Sequence, residues 1–204
     1  MPTRRSLLIV PAAWLALAGR RAMAQSADSA AINFVQQTGS RLVAVVNGPG
    51  SAQDKRQRLT QIVDQTVDVD GVARFCLGRY WRQASPEQRQ HYMAIFHQVL
   101  VTNITSKLGE DQGVKFTMGR AAPNGDDVAV DTTVLRPNNP PTDVKWVIGN
   151  ATSNPKIVDV VAEGTSLRLT QRSDYASYLD HNNGSIDALI SAMTRQAEQN
   201  QASG

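Results

Sequence analysis

Cysteine is nearly absent from this chain: Cys76 is the only one in 204 residues. No internal disulfide can form, so the fold has to be held by an apolar core rather than by covalent staples. Histidine is scarce too. His91 and His97 stand six apart, which does not put them on one helix face as the i, i+4 spacing of a metal pair would, and His181 sits beside Asn182-Asn183-Gly184. Each reads as a structural or solvated side chain. A glycine-rich phosphate loop and a G-x-S-x-G nucleophile elbow are also missing. Cys76 lies among apolar residues with no histidine near it in sequence, the setting of an inert buried thiol rather than a nucleophile. Asp126-Asp127 reads as a turn and Asp68 with Asp70 as helix capping, with catalytic carboxylates a remote second reading. These absences point away from an enzyme and from a bound metal or cofactor.

The apolar run from Leu7 to Ala18 is too short to cross a bilayer. Arg4-Arg5 precedes it and Ala22-Met23-Ala24 ends it, which is the layout of a signal peptide over residues 1–24, cleaved before Gln25. Thr3-Arg4-Arg5-Ser6-Leu7-Leu8 is similar to a twin-arginine export signal, and Arg20-Arg21 fits that route; a Sec signal with a chance arginine pair is the alternative. Both imply export. The leader also explains the basic pI of about 9.2. Four of the 21 basic residues precede Ala24 and all 18 acidic ones follow it, which leaves 17 against 18 and a net charge of −1 for the rest. Bulk charge therefore gives no case for nucleic-acid binding. About 180 residues remain after the leader, enough for one good core.

What is present is a change of period. Ala27 to Val46 reads as a first helix, broken by Asn47-Gly48-Pro49-Gly50-Ser51, and Ala52 to Val67 as a second. Asp68 or Asp70 caps a short third helix ending near Gly78. Ser85, Pro86 and Gln88 then form an N-cap, N1 and N3 signature for a long helix to about Leu108, with Tyr92, Ile95, Phe96, Val99 and Leu100 on one face. From Val114 the alternation is that of strands: Val114 to Met118, Val128 to Val134, Val144 to Ile148, Ile157 to Ala162 and Thr165 to Thr170, with Gly164 a bulge or bend. Ser173 and Ser185 are expected to cap two closing helices, with residues 197–204 a flexible tail. Helices, a meander, then helices make a single α+β domain. Tyr80, Trp81, Tyr92, Phe96, Phe116, Met118 and Trp146 all fall on elements that should face one another, either as a packed core or as the wall of an apolar pocket.

Three motifs in order carry a family resemblance. Leu77-Gly78-Arg79-Tyr80-Trp81-Arg82-Gln83-Ala84-Ser85-Pro86-Glu87-Gln88-Arg89 resembles the LGRYW-x-x-A-(S/T)-P-x-Q-R signature of the MlaC, or toluene-tolerance auxiliary, family. Asp159-Val160-Val161-Ala162-Glu163-Gly164-Thr165-Ser166-Leu167 is similar to its DVVVEG-x-S-L strand pair, and Arg172-Ser173-Asp174-Tyr175 with Gly184 to Ile190 to its closing helices. The likeness covers roughly Ala27 to Met193. It implies a twisted antiparallel sheet of four to five strands wrapped by N-terminal and C-terminal helices, with a lipid pocket between the layers, over residues 25–196. It further implies a monomeric periplasmic carrier shuttling phospholipid between an outer-membrane lipoprotein–porin complex and an inner-membrane ABC transporter, which maintains outer-membrane lipid asymmetry. A branch of the family is associated with hopanoids, so a hopanoid-type lipid is an alternative cargo. Asn154-Pro155-Lys156-Ile157-Val158 and Thr170-Gln171-Arg172 depart from the family pattern and leave the lipid open.

Under that resemblance the expected lipid-binding residues are Leu77, Tyr80, Trp81, Tyr92, Phe96, Leu100, Phe116, Val144, Trp146, Ile148 and Val160. Arg79 and Arg82 are expected to meet a head group or an acidic partner, with plain surface solvation the alternative. Two long acyl chains in water cost on the order of 20 kcal/mol at ~0.8 kcal/mol per methylene. A carrier must therefore enclose them, in a pocket toward the top of the ~300–1,000 Å³ range. A partner-docking adaptor and a lipid hydrolase are the readings from other classes.

Overall fold

The computed structural model describes residues 13–109 and 113–202. The Arg4-Arg5 pair and the start of the apolar run lie outside the described residues. Helix α1 (Ala13–Asn47) runs unbroken through the expected cleavage position. The Asn47-Gly48-Pro49-Gly50 break ends it as the composition requires, with Gly50 at φ 134°. Asn47 then ties this end of α1 to the start of the sheet. Its side-chain amide donates to the Val114 carbonyl at 2.8 Å, and its Oδ1 accepts from the N–H groups of Gly113 and Val114 at 2.8 and 3.1 Å.

Helix α2 (Ala52–Thr66) opens on a capping box between Ser51 and Asp54. Helix α3 (Val69–Leu77) is capped by the Asp68 carboxylate and closed by Gly78, whose φ of 58° suits a residue without a side chain. The aromatic turn after it is a short helix, α4 (Tyr80–Gln83). Helix α5 (Pro86–Gly109) starts as its signature predicts: Ser85 Oγ accepts from the Gln88 N–H at 3.2 Å, and Gln88 Oε1 accepts from the Ser85 N–H at 3.0 Å.

Strands β1 (Lys115–Asn124), β2 (Asp127–Leu135), β3 (Thr142–Gly149), β4 (Lys156–Ala162) and β5 (Thr165–Ser166) form one antiparallel sheet in sequence order. The last strand is shorter than its apolar pattern suggests. Glu163 and Gly164 turn the chain at φ 50° and 81°, and only Thr165 and Ser166 pair back onto β4. Ser166 then accepts from the Leu169 N–H at 3.2 Å and starts helix α6 (Leu167–His181), so Thr165 to Thr170 is not a strand and Ser173 lies inside the helix rather than capping it. Helix α7 (Ile186–Ala202) begins on Ser185 as expected. It also carries on past the expected boundary at 196, because Ala197 is buried in the core.

These elements enclose two main apolar compartments. One is helical: Ala73, Cys76, Leu77, Tyr92, Phe96, Tyr175, Leu179 and Leu189 from α3, α5, α6 and α7 pack together. The Tyr92, Phe96 and Tyr175 rings meet at centroid separations of 5.8 to 6.4 Å, and the Tyr92 hydroxyl donates to the Ala73 carbonyl at 2.8 Å. The other lies between α1 and the sheet, where Ala31 and Val35 meet Val128, Val130, Ile148 and Ile157. Buried Asp159 on β4 links the sheet to the helical side. Its carboxylate accepts from Val160 N–H at 2.8 Å, Ser166 Oγ at 2.6 Å and Arg168 N–H at 3.1 Å, and pairs with the Arg168 guanidinium at 3.5 Å. Replacing Asp159 with Ala leaves those donors without their acceptor and is expected to lower unfolding stability by about 3 kcal/mol in urea denaturation.

Candidate functional site

α1 is the helix laid across the inner face of the sheet, over β1 and β2. Its seat depends on a missing side chain. A Cβ added at Gly39 would lie 2.7 Å from Phe116 Cζ, so the glycine lets the Phe116 ring rest against the helix backbone. Beside this contact a cavity of about 70 Å³ remains. Val35, Gly39, Leu42, Val43 and Val46 of α1 form one wall, and Val114, Phe116, Thr132, Val134 and Trp146 form the other.

Thr132 and Trp146 bring the polar atoms, and these are bonded to one another. The Trp146 Nε1–H donates to Thr132 Oγ1 at 2.9 Å, and that hydroxyl donates to the Val144 carbonyl at 3.1 Å. The lumen is thereby apolar, and a ligand there gains from buried hydrocarbon rather than from directed hydrogen bonds.

The structure divides the residues expected at the pocket. Phe116 and Trp146 reach the cavity. Ile148 and Val160 lie in the α1–sheet compartment without lining the cavity, and half-buried Val144 contributes through its carbonyl. Leu77, Tyr80, Trp81, Tyr92, Phe96 and Leu100 belong to the helical compartment instead. The reason is the partner of α5: it packs on α7, α2 and α3, and α1 takes the place over the sheet. Sequence reading missed Val35, Gly39, Leu42, Val43, Val46, Val114, Thr132 and Val134. The available signal was the glycine set among apolar positions of α1, which marks a close approach.

The LGRYW turn holds helices together. The Tyr80 hydroxyl and the Arg79 guanidinium both donate to Asp180 Oδ1, at 2.5 and 2.6 Å, and the Arg79 guanidinium lies 4.9 Å over the Tyr80 ring. The Tyr80 hydrogen bond, followed by the Arg79 charge, holds the Asp180 carboxyl below its ordinary range. Arg74 and Arg89 both stack on Trp81, each guanidinium 5.3 Å from the ring centroid. Arg82 is exposed. Burial, opposed by the Arg172 charge, pushes the Cys76 thiol up to about 12, and Cys76 is only 2% exposed. No group of three or more metal-ligating side chains exists among the described residues, and no described helix is long and apolar enough to cross a membrane.

A single α1 helix over an antiparallel five-stranded meander, backed by a separate helical core, defines a class with solved members. A phospholipid-binding protein from Ralstonia solanacearum, solved in complex with a phospholipid, has this fold: it superposes with a TM-score of 0.70 at 23% identity over 83% of this chain and 97% of that one. The model of the family described as MlaC protein matches residues 36–195, and the chain belongs to that family. A curated relative, the toluene tolerance protein ttg2D of Pseudomonas putida, is 25% identical over 134 residues, 65% of this chain. The match spans 62% of that relative's length.

Replacing Thr132 with Val removes the acceptor of the Trp146 indole and is expected to cost about 1–3 kcal/mol, with a changed tryptophan emission in the folded protein. The thiol of Cys76 should stay unlabelled by an aromatic disulfide reagent at pH 8 unless the chain unfolds. Above the ordinary thiol value of 9.0 the unfolded chain loses this proton while the folded chain keeps it to about 12, so stability falls as pH rises through that window. Replacing Cys76 with Ala should flatten that fall, as read from the pH dependence of urea midpoints.

Proposed function

We propose that this chain is a soluble carrier that binds phospholipid through its acyl chains between α1 and the sheet. In this reading it works in the periplasm, between an outer-membrane lipoprotein–porin complex and an inner-membrane ABC transporter, and so serves outer-membrane lipid asymmetry. The observation that carries the reading is the apolar cavity under α1, whose polar wall atoms are all turned onto one another. Membership of the MlaC family and the shared fold with a phospholipid-binding protein support it.

Cavity size sets the mechanism. At about 70 Å³ the space is well below the ~300–1,000 Å³ of drug-sized pockets. Two acyl chains therefore enter only if α1 moves away from β1 and β2. What that motion separates is apolar: the Gly39–Phe116 contact, Val35, Leu42 and Val43. Acyl chains replace these contacts in kind, so the open complex keeps its hydrocarbon out of water. A lumen without directed polar contacts also keeps affinity near that of the donor and acceptor membranes, which release requires.

Mass spectrometry of the gently purified protein should find bound phospholipid; a protein that carries none and acquires none from vesicles sinks the proposal. Phe116→Asp and Trp146→Asp should cut lipid loading by at least about tenfold, because each puts a charge in the acyl path. Gly39→Leu should do the same by occupying the space of the Phe116 ring. Native circular dichroism in these variants, together with undiminished loading, would also count against the site.

A further inference from the structure

The outer surface made by α3, α4 and the start of α6 has a composition that packing does not explain. Leu167 and Leu169 are 51% and 56% exposed, the most exposed large apolar side chains among the described residues. They flank Arg168 in the first turn of α6. Arg168 and Arg172 both lie over the half-buried Phe75 ring, each guanidinium 4.8 Å from its centroid. Gly78 comes next: a Cβ there would meet the Arg172 guanidinium at 3.2 Å. Beyond it stands Trp81, with the Arg74 and Arg89 guanidinium groups each stacked on its ring. Exposed leucines thus flank an arginine that stacks on α3, and further stacked arginines and rings follow on α3 and α4.

Most of the band's arginines stand outside any ion pair. Arg168 shares the buried carboxylate of Asp159. Arg74, Arg82, Arg89 and Arg172 have no carboxylate partner among the described residues, and Asp70 and Asp174, on the same helices, pair with none of them. Stacking on a ring fixes a guanidinium flat and leaves outward N–H groups for phosphate oxygens, at little cost in side-chain entropy. Two protruding leucines beside such cations match the needs of an interfacial contact: hydrocarbon to enter below the head groups and cations to meet the phosphates.

We propose that this band seats the protein on the surface of an anionic phospholipid bilayer, with Leu167 and Leu169 entering the interface. The site lies on helices away from the cavity walls, so the proposal goes beyond the carrier reading and does not rest on it. Charge complementarity selects the occupant. The chain outside the leader is close to neutral overall, so attraction to an anionic surface has to come from this local concentration of arginines.

The test uses protein recovered from the envelope of an expressing Gram-negative host and sedimented with vesicles. These are made of phosphatidylcholine alone or of phosphatidylcholine with phosphatidylglycerol in equal parts. The protein is expected to sediment with the anionic vesicles, and less so as salt rises. The Leu167→Asp/Leu169→Asp and Arg74→Glu/Arg172→Glu double variants are expected to lose binding on the order of tenfold. Both should keep native circular dichroism and native lipid content by mass spectrometry, which separates docking from carrying. Absence of sedimentation, equal binding to both vesicle types, or binding unchanged in both double variants overturns the proposal. So does a result in which the double variants keep vesicle binding but lose an acidic envelope protein, since the band would then be a protein-docking surface.

Discussion

The molecule depends on how closely α1 can approach the sheet. A helix carrying ordinary side chains would stand off from β1 and leave the Phe116 ring nowhere to go. Gly39 removes one Cβ at the crossing point, and the ring fills that gap. The close approach hides the apolar residues of β2 and β3 with one helix and leaves only a small lumen beside the contact. Asn47, bonded to the backbone at the head of β1, ties the C-terminal end of the same helix to the sheet. The site is therefore framed by a backbone tether at one end and by van der Waals contact along the rest.

Electrostatics contributes at two places and in two ways. Inside, Asp159 gathers donors from β4, from the Ser166 cap and from the start of α6, and so joins sheet and helices through a satisfied buried carboxylate. Outside, the arginines near the LGRYW turn spend their planar faces on Phe75 and Trp81 and their edges on backbone carbonyls or solvent. Arg89 donates to the Trp81 carbonyl at 3.0 Å and Arg172 to that of Phe75 at 3.0 Å, so these side chains also tie α5 to α4 and α6 to α3. The most recognisable motif in the chain is in this sense a structural joint with a charged exterior.

The sequence showed the elements better than it showed their partners. Capping signatures at Asp68, Ser85 and Ser185 are local chemistry, and each appears in the structure where its residues stand. The meander was legible for the same reason, since alternation and turn residues act over a few positions. The strand expected to 170 failed because a serine after a tight turn can either pair or cap, and here Ser166 does both. The lining is decided at longer range. Periodicity says that Tyr92 and Phe96 are buried but not against what, and two apolar faces compete for the sheet. α1 won that place through a glycine, a residue whose contribution is space and which hydrophobic patterning does not register.

The separation of the two apolar compartments has a thermodynamic consequence. The helical core has its own aromatic cluster and its own buried hydrogen bond from Tyr92 to Ala73, none of which touches α1. Local unfolding free energies need not be uniform in such a molecule. No residue of α1 belongs to that helical core, so displacing α1 from the sheet leaves the core's own contacts in place. A ligand bound under α1 would stabilise the α1–sheet layer, the part of the molecule it touches.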